Sequence, residues 1–143
     1  MKRQPNNTDT FVYHNANPKN KRTTDCVIRA ISTATKISYN DVLLGLATLQ
    51  IKTGYDMSEK TCYGKYLKSL GWEMHKQPRK PDGTKYTGKE FCEALQRGEF
   101  SSDNDDRIIA HLGGHHIVAI VYWQVWDTWN STGGCIGNYW TKA

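Results

Sequence analysis

The chain has 143 residues, 38% hydrophobic and 23% charged, with five Trp, eight Tyr and a formal charge of +5. That length suits one domain able to bury a core without metal or disulfide staples. No apolar stretch reaches membrane-spanning length, and the four cysteines are scattered without a CxxC pair, which argues against a disulfide framework or a zinc cluster.

Much of the charge sits at the start, where Lys2, Arg3, Lys19, Lys21 and Arg22 against Asp9 place +4 within residues 1–24. We read residues 1–24 as a basic, solvated arm and lead-in loop, and residues 25–143 as one globular domain. No nucleic-acid-binding motif accompanies the arm, so a nucleic-acid partner is not expected. Within it, "TFVYHNANP" has the pattern of an edge strand before Pro18 forces a turn. The polar start "MKRQPNNTDT" lacks the apolar segment of a signal peptide, so a cytoplasmic protein with reduced thiols is expected.

From Thr24 the code changes. Val27, Ile28, Ile31 and Ala34 recur at helical spacing and predict a helix over 25–35 with Thr24 as its N-cap. A second helix is predicted over 39–53 on Val42, Leu43, Leu46, Ala47, Leu49 and Ile51, stopped by Gly54. A third runs over 58–70, capped by Ser58. "GWEMHKQP" reads as a short strand, "RKPDGTKYTG" as a loop and "KEFCEALQRG" as a short helix ending at Gly98. After the polar "EFSSDNDD" come strands: "RIIAHL", "HHIVAIVYW", "VWDTWNS" and a last piece around "CIGNYWTK". Helices followed by strands predict an α+β fold, N-terminal helices packed on a C-terminal antiparallel sheet.

The stretch "DCVIRAIS" places Cys26 at a helix N-terminus, where the unpaired N–H groups and the helix dipole favour the thiolate. A buried core sulfur fits that fragment as well. A thiol nucleophile also needs a base and an orienting partner, and "GGHHIVAIVYWQVWDTWNST" offers both. Strand parity chooses between the histidines. In a hairpin whose loop is Tyr122 and Trp123, Asp127 lies opposite Val118 and diagonal to His116, within side-chain reach. An odd-length loop would instead pair His115 with Asp127, or His116 with Thr128 or Asn130.

Together, "DCVIRAISTAT", "GHHIVAI" and "VWDTWNS" resemble the papain-like cysteine peptidase superfamily, in particular its small members from phage and mobile-element genomes. The bacteriocin-processing peptidases are a more distant likeness. In such relatives a DC opens the first helix, a GH with an apolar strand supplies the base, and a DTW supplies the acid. The resemblance, over about residues 13–140, implies a papain-like fold and a triad of Cys26, His116 and Asp127. Papain-like enzymes carry a side-chain amide some six residues before the cysteine. Asn20 stands there, and Asn20 or Asn17 is expected to complete an oxyanion hole with the Cys26 N–H, with Asn15 a further alternative.

The implied activity is cysteine-dependent hydrolysis or acyl transfer on a protein or peptide, led by peptide or isopeptide cleavage, with no cofactor and no metal. The alternative from another class is a catalytically idle, phage-encoded binding protein, a sponge that uses the same cleft. Arg29 is expected to pair with Asp25 or an internal carboxylate as scaffolding. Cys62, Cys92 and Cys135, and Trp123, Trp126, Trp129 and Trp140, are read as packing residues.

Overall fold

The structure, a computed structural model, describes residues 4–100 and 106–143; Lys2 and Arg3 of the basic arm and the middle of "EFSSDNDD" lie outside the described residues. The periodic apolar residues form α1 (Cys26–Thr35), which buries Val27, Ile28, Ala30, Ile31 and Ala34. Asp25, rather than Thr24, stands at its N-cap, and the Asp25 side chain does not cap. In α2 (Tyr39–Thr53) the Ser38 hydroxyl accepts from the Asp41 N–H, and Gly54 ends the helix at φ 78°. Only one stripe of α2 faces inward, through Val42 and Leu46, and Ile51 is 85% exposed.

The third helix, α3 (Lys60–Ser69), is shorter than the sequence predicts. Ser58 is held in a local turn by the Asp56 carboxylate, so Glu59 becomes the N-cap. In α4 (Gly88–Gln96) Thr87 and Glu90 form a reciprocal capping box. Arg97 is its C-cap, and Gly98 follows at φ 76°.

The strands are β1 (Phe11–Tyr13), β2 (Trp72–His75), β3 (Arg107–Leu112), β4 (His116–Val121), β5 (Gln124–Asp127) and β6 (Ile136–Lys142), in one sheet of order β1-β5-β4-β3-β6-β2. The expected antiparallel sheet is corrected here. It is mixed, because β1 pairs parallel with β5 while the other pairings are antiparallel. The lead-in loop has a physical reason to join. Phe11 is 0% exposed, and the N–H groups of Val125 and His14 donate to Thr10 and Asp127 carbonyls at 2.8 and 2.9 Å, which closes the β5 edge. Burying that ring contributes about 2–3 kcal/mol. Residues 1–24 therefore supply part of the sheet as well as the approach to α1.

Both faces of the sheet are covered. Helices α1, α2 and α3 pack on Ile109, Ile117, Ala119, Val121 and Trp140, while α4 packs on Ile108, Ala110, Val118, Ile120 and Val125. Successive β4 residues thus enter opposite cores, which is why "HIVAIV" is apolar at both parities.

The β4–β5 register pairs Val121 with Gln124, Ile120 with Val125 and Ala119 with Trp126. The loop is two residues, Tyr122 and Trp123, at φ 47° and 66°. Both are left-handed, as a type I′ hairpin turn requires. Continuing that register sets Asp127 across from Val118, on the same parity as His116.

Candidate functional site

Three element ends meet at one edge of the sheet: the start of α1, the start of β4 and the end of β5. Cys26 is the first residue of α1 and is half-buried. The first N–H groups of a helix have no intrahelical partner. The Asp25 carboxylate does not take them, because it accepts from Arg29 Nε at 2.7 Å, the Tyr39 hydroxyl at 2.7 Å and Asn17 Nδ2 at 3.1 Å.

Asp127 is 1% exposed and accepts four hydrogen bonds. His116 Nε2 and the Ser131 hydroxyl donate to Oδ2 at 2.6 and 2.7 Å; Arg29 Nη1 and the Thr128 N–H donate to Oδ1 at 3.0 and 2.7 Å. A buried carboxylate with every lone pair engaged is rigid and stays ionised. Arg29 therefore bridges two buried acids, Asp25 on the helix side and Asp127 on the sheet side.

With Nε2 given to Asp127, Nδ1 is the ring nitrogen left for the Cys26 thiol, and each of the two groups shifts the other's protonation. Burial alone would lower the His116 pKa, but the bond to Asp127 and the neighbouring thiol reverse this and push it up to about 9. Burial would likewise raise the Cys26 pKa. The neighbouring His116 side chain, the Ile117 backbone N–H and the charges of His116 and Arg29 outweigh it and bring the thiol below its ordinary value. Burial opposes ionisation of Asp127 too, and the His116 contact holds its carboxyl below the usual range. The arrangement favours a thiolate beside an imidazolium. Trp129, 53% exposed, lies against the imidazole with ring centroids 5.1 Å apart.

No known family model, curated protein or solved structure matches the chain.

Of the residues singled out in the sequence, Cys26, His116 and Asp127 are brought together, and His115 is not: it sits exposed in the β3–β4 turn. The candidate oxyanion donors separate as well. Asn17 spends its amide on Asp25, and Asn15 donates to the Lys21 carbonyl at 2.9 Å. Asn20, left-handed at φ 54°, lines the cleft that opens over the thiol. That cleft encloses about 1080 Å³, with Asn20, Lys21, Arg22, Cys26, His116 and Trp129 on its walls.

Two expectations about packing are corrected. Cys135 is exposed, whereas Cys62 and Cys92 are buried. Trp140 is a core residue, but Trp123 and Trp129 are largely exposed, because one occupies a hairpin tip and the other the cleft wall. Tyr39 and Ser131 carry site hydrogen bonds that the sequence pattern did not flag. Ser131 follows Asp127 by four residues, a spacing that signals a local turn, while Tyr39 lies on another helix and has no such signal. Among the described residues no group of three His, Cys, Asp or Glu side chains is placed to hold a metal, and no helix is long and apolar enough to cross a membrane.

Proposed function

We propose that the protein is a papain-like cysteine hydrolase or acyl transferase acting on a peptide or isopeptide bond in a reducing, cytoplasmic setting. The observation that carries this reading is that Cys26, at a helix N-terminus, shares a cleft with His116, whose Nε2 is hydrogen-bonded to the buried Asp127, with the thiol pKa lowered and the imidazole pKa raised. A binding protein has no need of that charge separation.

The thiolate attacks the substrate carbonyl carbon, forming a C–S bond as the carbonyl electrons move to oxygen. The oxyanion is held by the Cys26 N–H and the Asn20 amide. On collapse the C–N bond breaks, and the leaving amine takes the His116 proton. His116 then takes a proton from water, whose oxygen attacks the thioester; the acid departs and the thiolate–imidazolium pair is restored. An amine in place of water gives transfer.

The test is incubation with a mixed peptide library derived from a bacterial proteome, read by mass spectrometry for new termini. Wild type is expected to generate products that Cys26→Ser and His116→Ala do not, the His116 loss being roughly 10²–10⁴-fold, and Asp127→Asn is expected to lose less than either. Products that persist in Cys26→Ser overturn the reading. Capture of peptides without turnover by the wild type, unchanged in all three variants, favours the sponge.

A further inference from the structure

We propose that the cleft selects substrates carrying a carboxylate beside the bond that reacts, and that Lys21 and Arg22 are the residues that read it. This rests on the hydrolase reading and adds the substrate class.

Besides the His116–Cys26 pair, the described residues on the walls of the cleft include the cations Lys21, Arg22 and Arg29 and no Asp or Glu. Arg29 is already neutralised, since the residue is 7% exposed and its guanidinium is divided between Asp25 and Asp127. Lys21 and Arg22 differ. Neither makes an ion pair among the described residues, and both are exposed on the loop that also carries Asn20. A cleft lined by one sign of charge concentrates ligands of the other sign.

Arg22 is also pre-positioned. Its Nε donates to the Tyr13 hydroxyl at 3.3 Å and its guanidinium lies 5.2 Å from the centre of the Tyr13 ring. Tyr13 belongs to β1, so the arginine is tethered to the sheet. With Nε engaged, the outer pair of guanidinium nitrogens remains free, the edge that matches a carboxylate with two parallel hydrogen bonds. Holding the side chain beforehand lowers the entropy cost of that contact. Across the cleft, Trp129 offers an apolar wall, so a peptide bearing both a carboxylate and an apolar neighbour fits the lining.

Two sources supply such a carboxylate: an acidic side chain near the scissile bond, or the free C-terminus of a short peptide. Both present the same chemistry to Arg22.

The recognition is tested apart from turnover by alkylating Cys26 with iodoacetate and with iodoacetamide, reagents that differ in carrying a carboxylate or a neutral amide. The ratio of the two rates cancels changes in thiol ionisation common to both. It is expected to fall about three- to five-fold in Arg22→Gln and further in the Lys21→Gln/Arg22→Gln double variant. Lys65→Gln/Lys68→Gln, an equal loss of charge on α3, is expected to leave the ratio unchanged. A ratio untouched by the Lys21 and Arg22 substitutions, or lowered equally by the α3 pair, overturns the proposal.

Peptides with an internal Glu and an amidated end, with an internal Gln and a free end, and with neither carboxylate then separate the sources. Preference for either of the first two supports the proposal and names the source, whereas equal cleavage of all three overturns it. Should no peptide be cleaved, the hydrolase reading fails, while the alkylation ratio still decides whether the cleft reads a carboxylate.

Discussion

Cys26 and His116 move in opposite directions from their ordinary pKa values, and this sets where the pair is charged. His116 keeps its proton until the pH rises through about 9, and Cys26 loses its proton below the value of an ordinary thiol. The ion pair therefore fills the window between them, bounded on the acid side by protonation of sulfur and on the basic side by deprotonation of imidazole. At pH 6 a free thiol is less than about 1% thiolate. Cys26 is expected to remain the fastest-labelled thiol there, as followed by iodoacetamide labelling and peptide mapping. Burial raises the Cys62 pKa and pushes Cys92 up to about 12, so Cys135 is the exposed competitor. Faster labelling of Cys135 at pH 6 counts against the thiolate assignment. The parity reasoning that selected His116 over His115 depends on a loop of two residues, and Tyr122 and Trp123 supply one despite their bulk.

That hairpin stores strain. Non-glycine residues in the left-handed region cost about 1 kcal/mol or more each, and here two adjacent aromatic residues at φ 47° and 66° occupy it while remaining largely exposed. Replacing them by the pair that a type I′ turn prefers, Tyr122→Asn with Trp123→Gly, is expected to raise stability by about 1 kcal/mol, seen as a melting temperature higher by roughly 3–5 °C. A lower melting temperature would mean that aromatic packing at the tip outweighs the strain. Alignment of β4 and β5 is secured elsewhere, by Val118, Ile120 and Val125 in the core under α4. Helices α1 and α2 were legible because their apolar spacing and the Gly54 stop are local features. The α1 cap was not, since Asp25 is drawn away from the helix end by Arg29, Tyr39 and Asn17.

Across the fold, the N-terminal lead-in is tied to the sheet at more points than its polar composition suggests. The Tyr13 N–H donates to Asn7 Oδ1 at 2.8 Å, the Val125 N–H donates to the Thr10 carbonyl at 2.8 Å, and Phe11 fills a core position. An arm dispensable through residue 10 is the expectation from composition; these contacts move that boundary back to residue 6. Deleting residues 1–6 is expected to change the melting temperature by no more than about 2 °C, whereas deleting 1–13 uncovers the β5 edge and lowers it by roughly 10 °C. Equal effects of the two truncations would show that β1 contributes little.

Local chemistry alone located the thiol at a helix start, a histidine leading a strand and an acid 11 residues downstream of it, because helical spacing, glycine stops and strand alternation are written in neighbouring residues. The pairing of Arg29 with Asp25 or an internal carboxylate was readable from neighbouring residues, but not that it holds two acids at once, nor which the second is. Arg29 joins Asp25 to Asp127, a residue 98 positions away, and Tyr39 reaches Asp25 from another helix. The parallel pairing of β1 with β5 and the two-sided burial of β4 are likewise products of chain crossing. The pattern of "TFVYHNANP" marks an edge strand but not which strand it joins or in which direction, and a buried ion-pair bridge needs only complementary partners at a distance that packing alone sets.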